Sequence, residues 1–147
     1  MSVIIRLMKR EDKDIVFDMM KVFYNSPAVL SNGSDEIYNN DIENCVNEWP
    51  FLEGYIFEEN GTIQGYAMAA KSFSTEFGKP CIWIEDFYIK PEYRGNGIGS
   101  SFFKYIEGKY PNTLMRLEAE EENENAIHVY KKNGYEILPY LELKKEL

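Results

Sequence analysis

Histidine is almost missing from this sequence: His128 is the one imidazole in 147 residues, and the two cysteines, Cys45 and Cys81, lie far apart. A clustered metal site or a disulfide framework needs such residues grouped, so neither is expected, and both thiols read as small buried hydrophobes. Basic residues are also few, 16 against 25 acidic, for a net charge of −9. That sign disfavours nucleic acid and anionic membrane as partners and favours cations, although it also serves solubility. No apolar run is long enough to cross a bilayer, and there are no repeats or low-complexity tracts. Met1 to Arg10 lacks the charged start, apolar run and small-residue cleavage site of a secretory signal. The expectation is a cytoplasmic chain folded as one domain over residues 1–147, with 44% hydrophobic residues to fill a core.

Periodicity sets out the elements. Val3 to Leu7 reads as a strand, and Glu11 to Phe23 as a helix with Ile15, Val16, Met19, Met20 and Phe23 on one side. A loop from Asn25 to Gly33 leads to Ser34 or Asp35 as the cap of a second helix ending before Pro50 and carrying Asp35, Glu36, Asp41, Glu43 and Glu48. Gly54 to Glu58 and Thr62 to Phe73 form a predicted antiparallel hairpin through Asn60-Gly61. After a turn at Gly78-Lys79-Pro80, the segment Cys81 to Ile89 is apolar or aromatic except for Glu85 and Asp86, the pattern of a buried central strand. Gly97 to Tyr110 is a helix with Ile98, Phe102, Phe103 and Ile106 on its stripe, Leu114 to Glu118 a strand, and Asn123 to Asn133 a last helix. Gly134 suits its left-handed C-terminus, and Tyr135 to Leu143 is expected to finish as a strand.

The chemistry concentrates between the central strand and the helix after it. In Arg94-Gly95-Asn96-Gly97-Ile98-Gly99-Ser100, glycines at alternate positions let the backbone approach a ligand, and the amides opening the helix present the positive end of its dipole. That is a cradle for a phosphate, although glycine-rich turns often serve only to reverse the chain. The spacing does not fit the G-x-G-x-x-G dinucleotide pattern, and no Gly-Lys-Ser/Thr follows.

Arg94-Gly95-Asn96-Gly97-Ile98-Gly99 resembles the R/Q-x-x-G-x-G/A signature of the GNAT superfamily of N-acetyltransferases. Downstream, Asn123 to Tyr135, with Ala126, Tyr130, Lys132 and Gly134, is similar to that superfamily's N-x-x-A-x-x-x-Y-x-K-x-G-F/Y stretch. The resemblance implies an α/β fold with a mixed, mainly antiparallel sheet, splayed between the fourth and fifth strands and flanked by about four helices. It implies acetyl-CoA as cosubstrate, with no metal: phosphates on Gly95 to Ser100 beside Arg94, the pantetheine pairing with the backbone of Phe87, Tyr88 and Ile89, and Asn123 and Ala126 beside that arm. Trp83 to Ile89, followed by Tyr93 to Ser100, looks like the diamine (spermidine/spermine) acetyltransferases, which take polyamines. Dimers are common in that family, so a homodimer is an expectation by analogy.

Two residues are assigned to catalysis. An alkylammonium with a pKa of about 10.4 is only about one part in a thousand neutral at physiological pH, so a base is required. Glu85, on a buried strand and on the same face as Trp83 and Phe87, should have its pKa raised by desolvation toward the working range; the alternative is a carboxylate turned to solvent at a bulge. Asp86, on the opposite face, is given a structural role holding loop amides. By the resemblance Tyr130 is the acid near the thioester sulfur; otherwise it is a core aromatic. The acidic run Glu118, Glu120, Glu121, Glu122 and Glu124 either attracts a polycation or solvates a loop, and His128 is assigned nothing. The expected function is acetyl transfer to a small cationic amine. A protein amine as acceptor and a non-catalytic acetyl-CoA sensor are the rivals.

Overall fold

A computed structural model describes residues 3–147. Strand β1 (Ile4–Leu7) leads through a 3-10 turn to helix α1 (Lys13–Tyr24), then α2 (Asp35–Val46), β2 (Leu52–Glu59), β3 (Thr62–Ser74) and β4 (Lys79–Ile89). A second 3-10 turn precedes α3 (Ile98–Lys109), β5 (Leu114–Leu117) and α4 (Glu124–Lys132). The strands form one sheet in the order β1-β2-β3-β4-β5, antiparallel up to β4 and parallel between β4 and β5. The fold is the mixed, mainly antiparallel α/β architecture that the sequence led us to expect.

Local chemistry accounts for the junctions. Asn60 and Gly61, at φ of 52° and 79°, supply the left-handed pair that closes the β2–β3 hairpin. Ser34 caps α2, its hydroxyl accepting from the Ile37 amide at 3.2 Å. On one face of the sheet, Val16, Met19, Met20 and Phe23 of α1 pack with Tyr38 and Ile42 of α2 against Ile56, Tyr66, Met68 and Tyr88. On the other, Phe102, Phe103 and Ile106 of α3 pack against Tyr55, Phe57, Ala67, Ile82 and Ile84. The result is helix, sheet and helix in three layers, each helix burying the stripe its 3.6-residue period creates.

Gly65 of β3 sits opposite Ile89, where a Cβ would lie 2.3 Å from the Tyr88 carbonyl oxygen and 2.9 Å from the Phe57 ring. This close approach holds the end of β4 in place. Gly65→Ala is expected to destabilise the fold by about 2–3 kcal/mol, because backbone must move to admit one methyl group. Urea unfolding monitored by circular dichroism reads the loss.

One expected element does not form. Tyr135 to Leu143 carries no strand in the structure, and Ile137, Tyr140, Leu141 and Leu143 are exposed. Around Pro139, which has no amide proton to give, the Tyr140 N–H turns back to the Leu138 carbonyl at 2.8 Å, a local turn in place of a ladder bond. No helix among the described residues is long and apolar enough to cross a membrane.

Candidate active site

The site begins at an irregularity in β4. Met68 of β3 pairs with Asp86 and Ala69 pairs with Ile84, so Glu85 is the extra residue of a β-bulge. The parallel ladder to β5 stops at the same place, its last pair being Ile84 with Leu117. Beyond it β4 continues to Ile89 while β5 ends at Leu117, and the peptide groups of Phe87, Tyr88 and Ile89 that point away from β3 have no strand beside them. The sheet thus has an open edge along Phe87 to Ile89, whose main-chain groups facing away from β3 lie beside no strand. At its far end the Arg94 Nε donates to the Ile89 carbonyl at 2.7 Å, and its guanidinium lies 5.6 Å from the Tyr88 ring centroid.

The bulge also corrects one expectation. Ile82 and Ile84 before it and Phe87 and Ile89 after it all pack on the α3 side, so the alternation reverses at Glu85. Trp83 and Phe87 therefore fall on opposite faces and cannot share one with Glu85. A period-two reading cannot register an inserted residue.

At the glycine loop, Gly95 and Gly97 adopt φ of 82° and 81°, and Gly97 is the N-cap of α3 with no side chain capping the helix. The amides of Ile98, Gly99 and Ser100 consequently have no intrahelical acceptor. Three donors at the positive end of a helix dipole, opened by a loop that only glycine follows without strain, fit a phosphate group. Gly99 has a separate role: a Cβ there would come 3.1 Å from the Phe87 ring, so its absence seats α3 tightly on β4. The exposed Asn96 side chain donates to the Tyr93 carbonyl at 3.1 Å, which braces the loop from within.

Tyr130 packs in the aromatic cluster on the α3 side of the sheet. Its ring centroid lies 6.4 Å from that of Phe87, 6.0 Å from Phe103 and 6.2 Å from Tyr135. Burial raises its pKa, so the phenol stays protonated and available as a donor. Asn123 caps α4, its Oδ1 accepting from the Ala126 amide at 3.4 Å, which leaves its NH2 group with no protein acceptor among the described residues. Asn123 and Ala126 are half-buried and His128 is exposed.

The opposite side of the bulge is acidic and aromatic. Asp86, only 3% exposed, accepts from the Tyr24 hydroxyl at 2.6 Å and the Tyr66 hydroxyl at 2.8 Å. These are tyrosine hydroxyls on α1 and β3, not the loop amides expected from the sequence. Burial raises the Asp86 pKa, and the two hydroxyls oppose that shift. Glu85 is exposed as a residue, yet its pKa is also raised, first by the protein around its carboxylate, then by the charges of Asp86 and Glu142. Asp41 of α2 is pushed up to about 6 by burial and by Asp86 and Glu85. Glu118, just past β5, is pushed up to about 7, by desolvation of its carboxyl even though the residue is exposed, and then by Glu142 and Glu85. Asp41 and Tyr24 were absent from the sequence-derived site. The available signal was the spacing Tyr38, Asp41, Ile42, Cys45, which puts an aspartate inside an inward-facing stripe.

Residues 18–135 match the model of the acetyltransferase (GNAT) family, and the chain belongs to that family. Among curated proteins it is 37% identical over 75 residues to thialysine N-epsilon-acetyltransferase of Bos taurus, covering 49% of this chain and 44% of that protein. The match thus spans under half the length of that relative. Uncharacterized N-acetyltransferase YhfO of Bacillus subtilis is 28% identical over 124 residues, covering 82% of this chain and 79% of the relative. Among solved structures, a predicted acetyltransferase from Clostridium acetobutylicum with acetyl-CoA superposes with a TM-score of 0.78 at 24% identity, covering 97% of this chain and 96% of the other. At that identity the likeness concerns the fold.

Proposed function

We propose that this protein is an acetyl-CoA dependent N-acetyltransferase that acetylates a primary amine of a small cationic molecule, by direct attack within a ternary complex. The observation that supports the reading is that the β3–β4 register shifts at Glu85 just where the β4–β5 ladder ends, so that one carboxylate sits next to the edge of β4 that has no strand beside it. Acetyl-CoA supplies an acetyl group already activated as a thioester. The amides of Ile98, Gly99 and Ser100 would hold its phosphates, the free edge of Phe87 to Ile89 its pantetheine amides, and Asn123 and Ala126 would flank that arm.

The chain's own side chains then handle the protons. Glu85 removes one from the acceptor ammonium, directly or through water, and its raised pKa brings it nearer the working range of a base. The freed amine would attack the thioester carbonyl, and as the C–S bond breaks the Tyr130 hydroxyl would donate to the departing sulfur; the second N–H proton of the amine leaves to solvent, from which the phenolate of Tyr130 is reprotonated. Asp86 is poorly placed for proton transfer to solvent or substrate, being buried and held by two hydroxyls. A cationic acceptor is supported by the three carboxyl groups Asp41, Glu85 and Asp86 on that side and by the net charge of −9. The name of the bovine relative points to an amino-acid amine of that kind.

Mass spectrometry of products formed from acetyl-CoA and a pool of polyamines, amino acids, aminoglycosides and short peptides tests the reading. One acetyl group added to a small amine is the expected result, with Tyr130→Phe slowing turnover by about 10–30-fold while still binding acetyl-CoA. Product from peptides alone would keep acetyl transfer and remove the small-amine acceptor. Tight acetyl-CoA binding with no product from any acceptor would replace the enzyme with a sensor.

A further inference from the structure

We infer that Arg116, stacked on Trp83, binds a carboxylate of the acceptor, so that the amine acetylated is the terminal amino group of an amino acid. The inference rests on the proposed acetyl transfer and concerns the part of the acceptor that does not react.

Of the four arginines in the chain, three have an acceptor. Arg6 holds Asp12 and Glu58, Arg10 holds Glu43, and Arg94 donates to the Ile89 carbonyl. Arg116 makes no ion pair or hydrogen bond with any described residue, Glu118 two positions on included, in a chain where acidic residues outnumber basic ones by 25 to 16. Its guanidinium lies instead 4.4 Å from the centroid of the Trp83 ring, and both residues are half-buried. Stacking on the indole covers one face of the guanidinium and leaves its N–H edge free, and that edge matches the two oxygens of a carboxylate.

The pair stands beside the proposed base. Trp83 and Arg116 lie opposite each other in the parallel ladder, one position before its last pair, Ile84 with Leu117. Ile82, Ile84, Met115 and Leu117 pack on the α3 side, so Trp83 and Arg116 project from the other face. Asp86 is on that face too, held by Tyr24 of α1, and Glu85 stands between Trp83 and Asp86 at the bulge. The core that α1 and α2 build there takes its strand residues from β2, β3 and Tyr88 of β4, which leaves Trp83 and all of β5 outside that cover. Trp83 precedes Glu85 by two residues, about 6.5 Å at the rise of a strand. With its carboxylate on Arg116, an amino acid keeps its α-nitrogen one carbon away, short of that span, whereas a terminal nitrogen on a four-carbon side chain reaches it. Such a molecule is still a cation, with two ammonium groups against one carboxylate. A diamine leaves Arg116 unpaired.

L-lysine and 1,5-diaminopentane differ by that carboxylate alone. The test compares them by steady-state acetylation and by calorimetric binding to the protein with coenzyme A, in the wild-type chain, Arg116→Gln and Arg116→Lys. The wild type should favour L-lysine by about tenfold or more in kcat/KM, the scale of one charge-assisted contact, with mass spectrometry placing the acetyl group on the side-chain nitrogen. In Arg116→Gln the preference should fall to about threefold or less, the loss appearing in the KM for L-lysine and not in kcat. Arg116→Lys keeps the charge without the planar fork and should lie between the two. The wild-type comparison decides the matter even where a variant folds poorly. Equal use of the two amines, a preference for the diamine, acetylation at the α-nitrogen, or a preference kept in Arg116→Gln overturns the inference and leaves acetyl transfer standing. Arg116-dependent binding of L-lysine without any product does the reverse.

Discussion

Glu85→Gln is expected to lower kcat/KM for the preferred amine by about 10²–10³-fold at pH 7, the size of a lost general base. The amide keeps the shape and hydrogen-bonding reach of the carboxyl group but cannot take a proton from an ammonium. Fold stability should change little, since the residue occupies a bulge, has no strand partner and is exposed. The pH dependence gives the sharper test. Burial and the charges of Asp86 and Glu142 raise the Glu85 pKa, so wild-type activity should fall on acidification at a pH above the ordinary glutamate value of about 4.3. The variant has no carboxyl group to protonate and should lack that limb. Toward the acceptor's own pKa, about 10.4, amine arrives already neutral, the base loses its advantage and the two enzymes should converge. A loss of less than about threefold at pH 7, or an unchanged acid limb, would remove Glu85 from the proton path.

Gly97→Val should act on the other substrate. Gly97 sits at φ 81°, a conformation that costs a β-branched residue about 1–3 kcal/mol, and the surrounding space is open, with no atom within 4 Å of the point a Cβ would occupy. The substitution therefore meets no steric wall, and its cost lies in the backbone itself. If the loop relaxes out of the left-handed region, the amides of Ile98, Gly99 and Ser100 no longer converge. We expect the KM for acetyl-CoA to rise by about 30–100-fold, with the KM for the amine within about threefold of wild type. Gly108→Ala in the body of α3 is the matched control, since that glycine has no positive φ and open space around it, and it should leave both constants alone. Unchanged acetyl-CoA affinity in Gly97→Val would mean that the cradle does not hold the phosphates.

Much of the architecture was legible because it follows from local rules. The stripe Val16, Met19, Met20 and Phe23 marks α1, Asn60-Gly61 marks the hairpin, Ser34 caps α2, and Gly134, at φ 94°, ends α4. Each depends on residues within a few positions of one another, where periodicity and φ preference act directly. The segment Tyr135 to Leu143 had the right alternation, but a strand forms only where a neighbouring ladder is available to it, and here the backbone turns locally instead, the Tyr140 N–H bonding the Leu138 carbonyl.

The site divides along the same line. By itself the sequence determined the glycine loop proposed to hold the phosphates, since Gly95, Gly97 and the opening of α3 are contiguous, and it marked Glu85 as a charge out of keeping with a buried strand, whereas Tyr130 was singled out by its place in the family motif. The tertiary structure alone decided that Glu85 occupies a bulge where the β3–β4 register shifts and the β4–β5 ladder ends, that Asp86 is held by tyrosines from α1 and β3, and that Asp41 of α2 is half-buried without an ion pair or hydrogen bond among the described residues. Bulges, hydroxyl partners and unpaired charges are relations between segments 20 to 62 residues apart, as in the Tyr66–Asp86 and Tyr24–Asp86 contacts. Spacing within one segment carries no trace of them, because the energy that sets them comes from burial and pairing after the layers have closed.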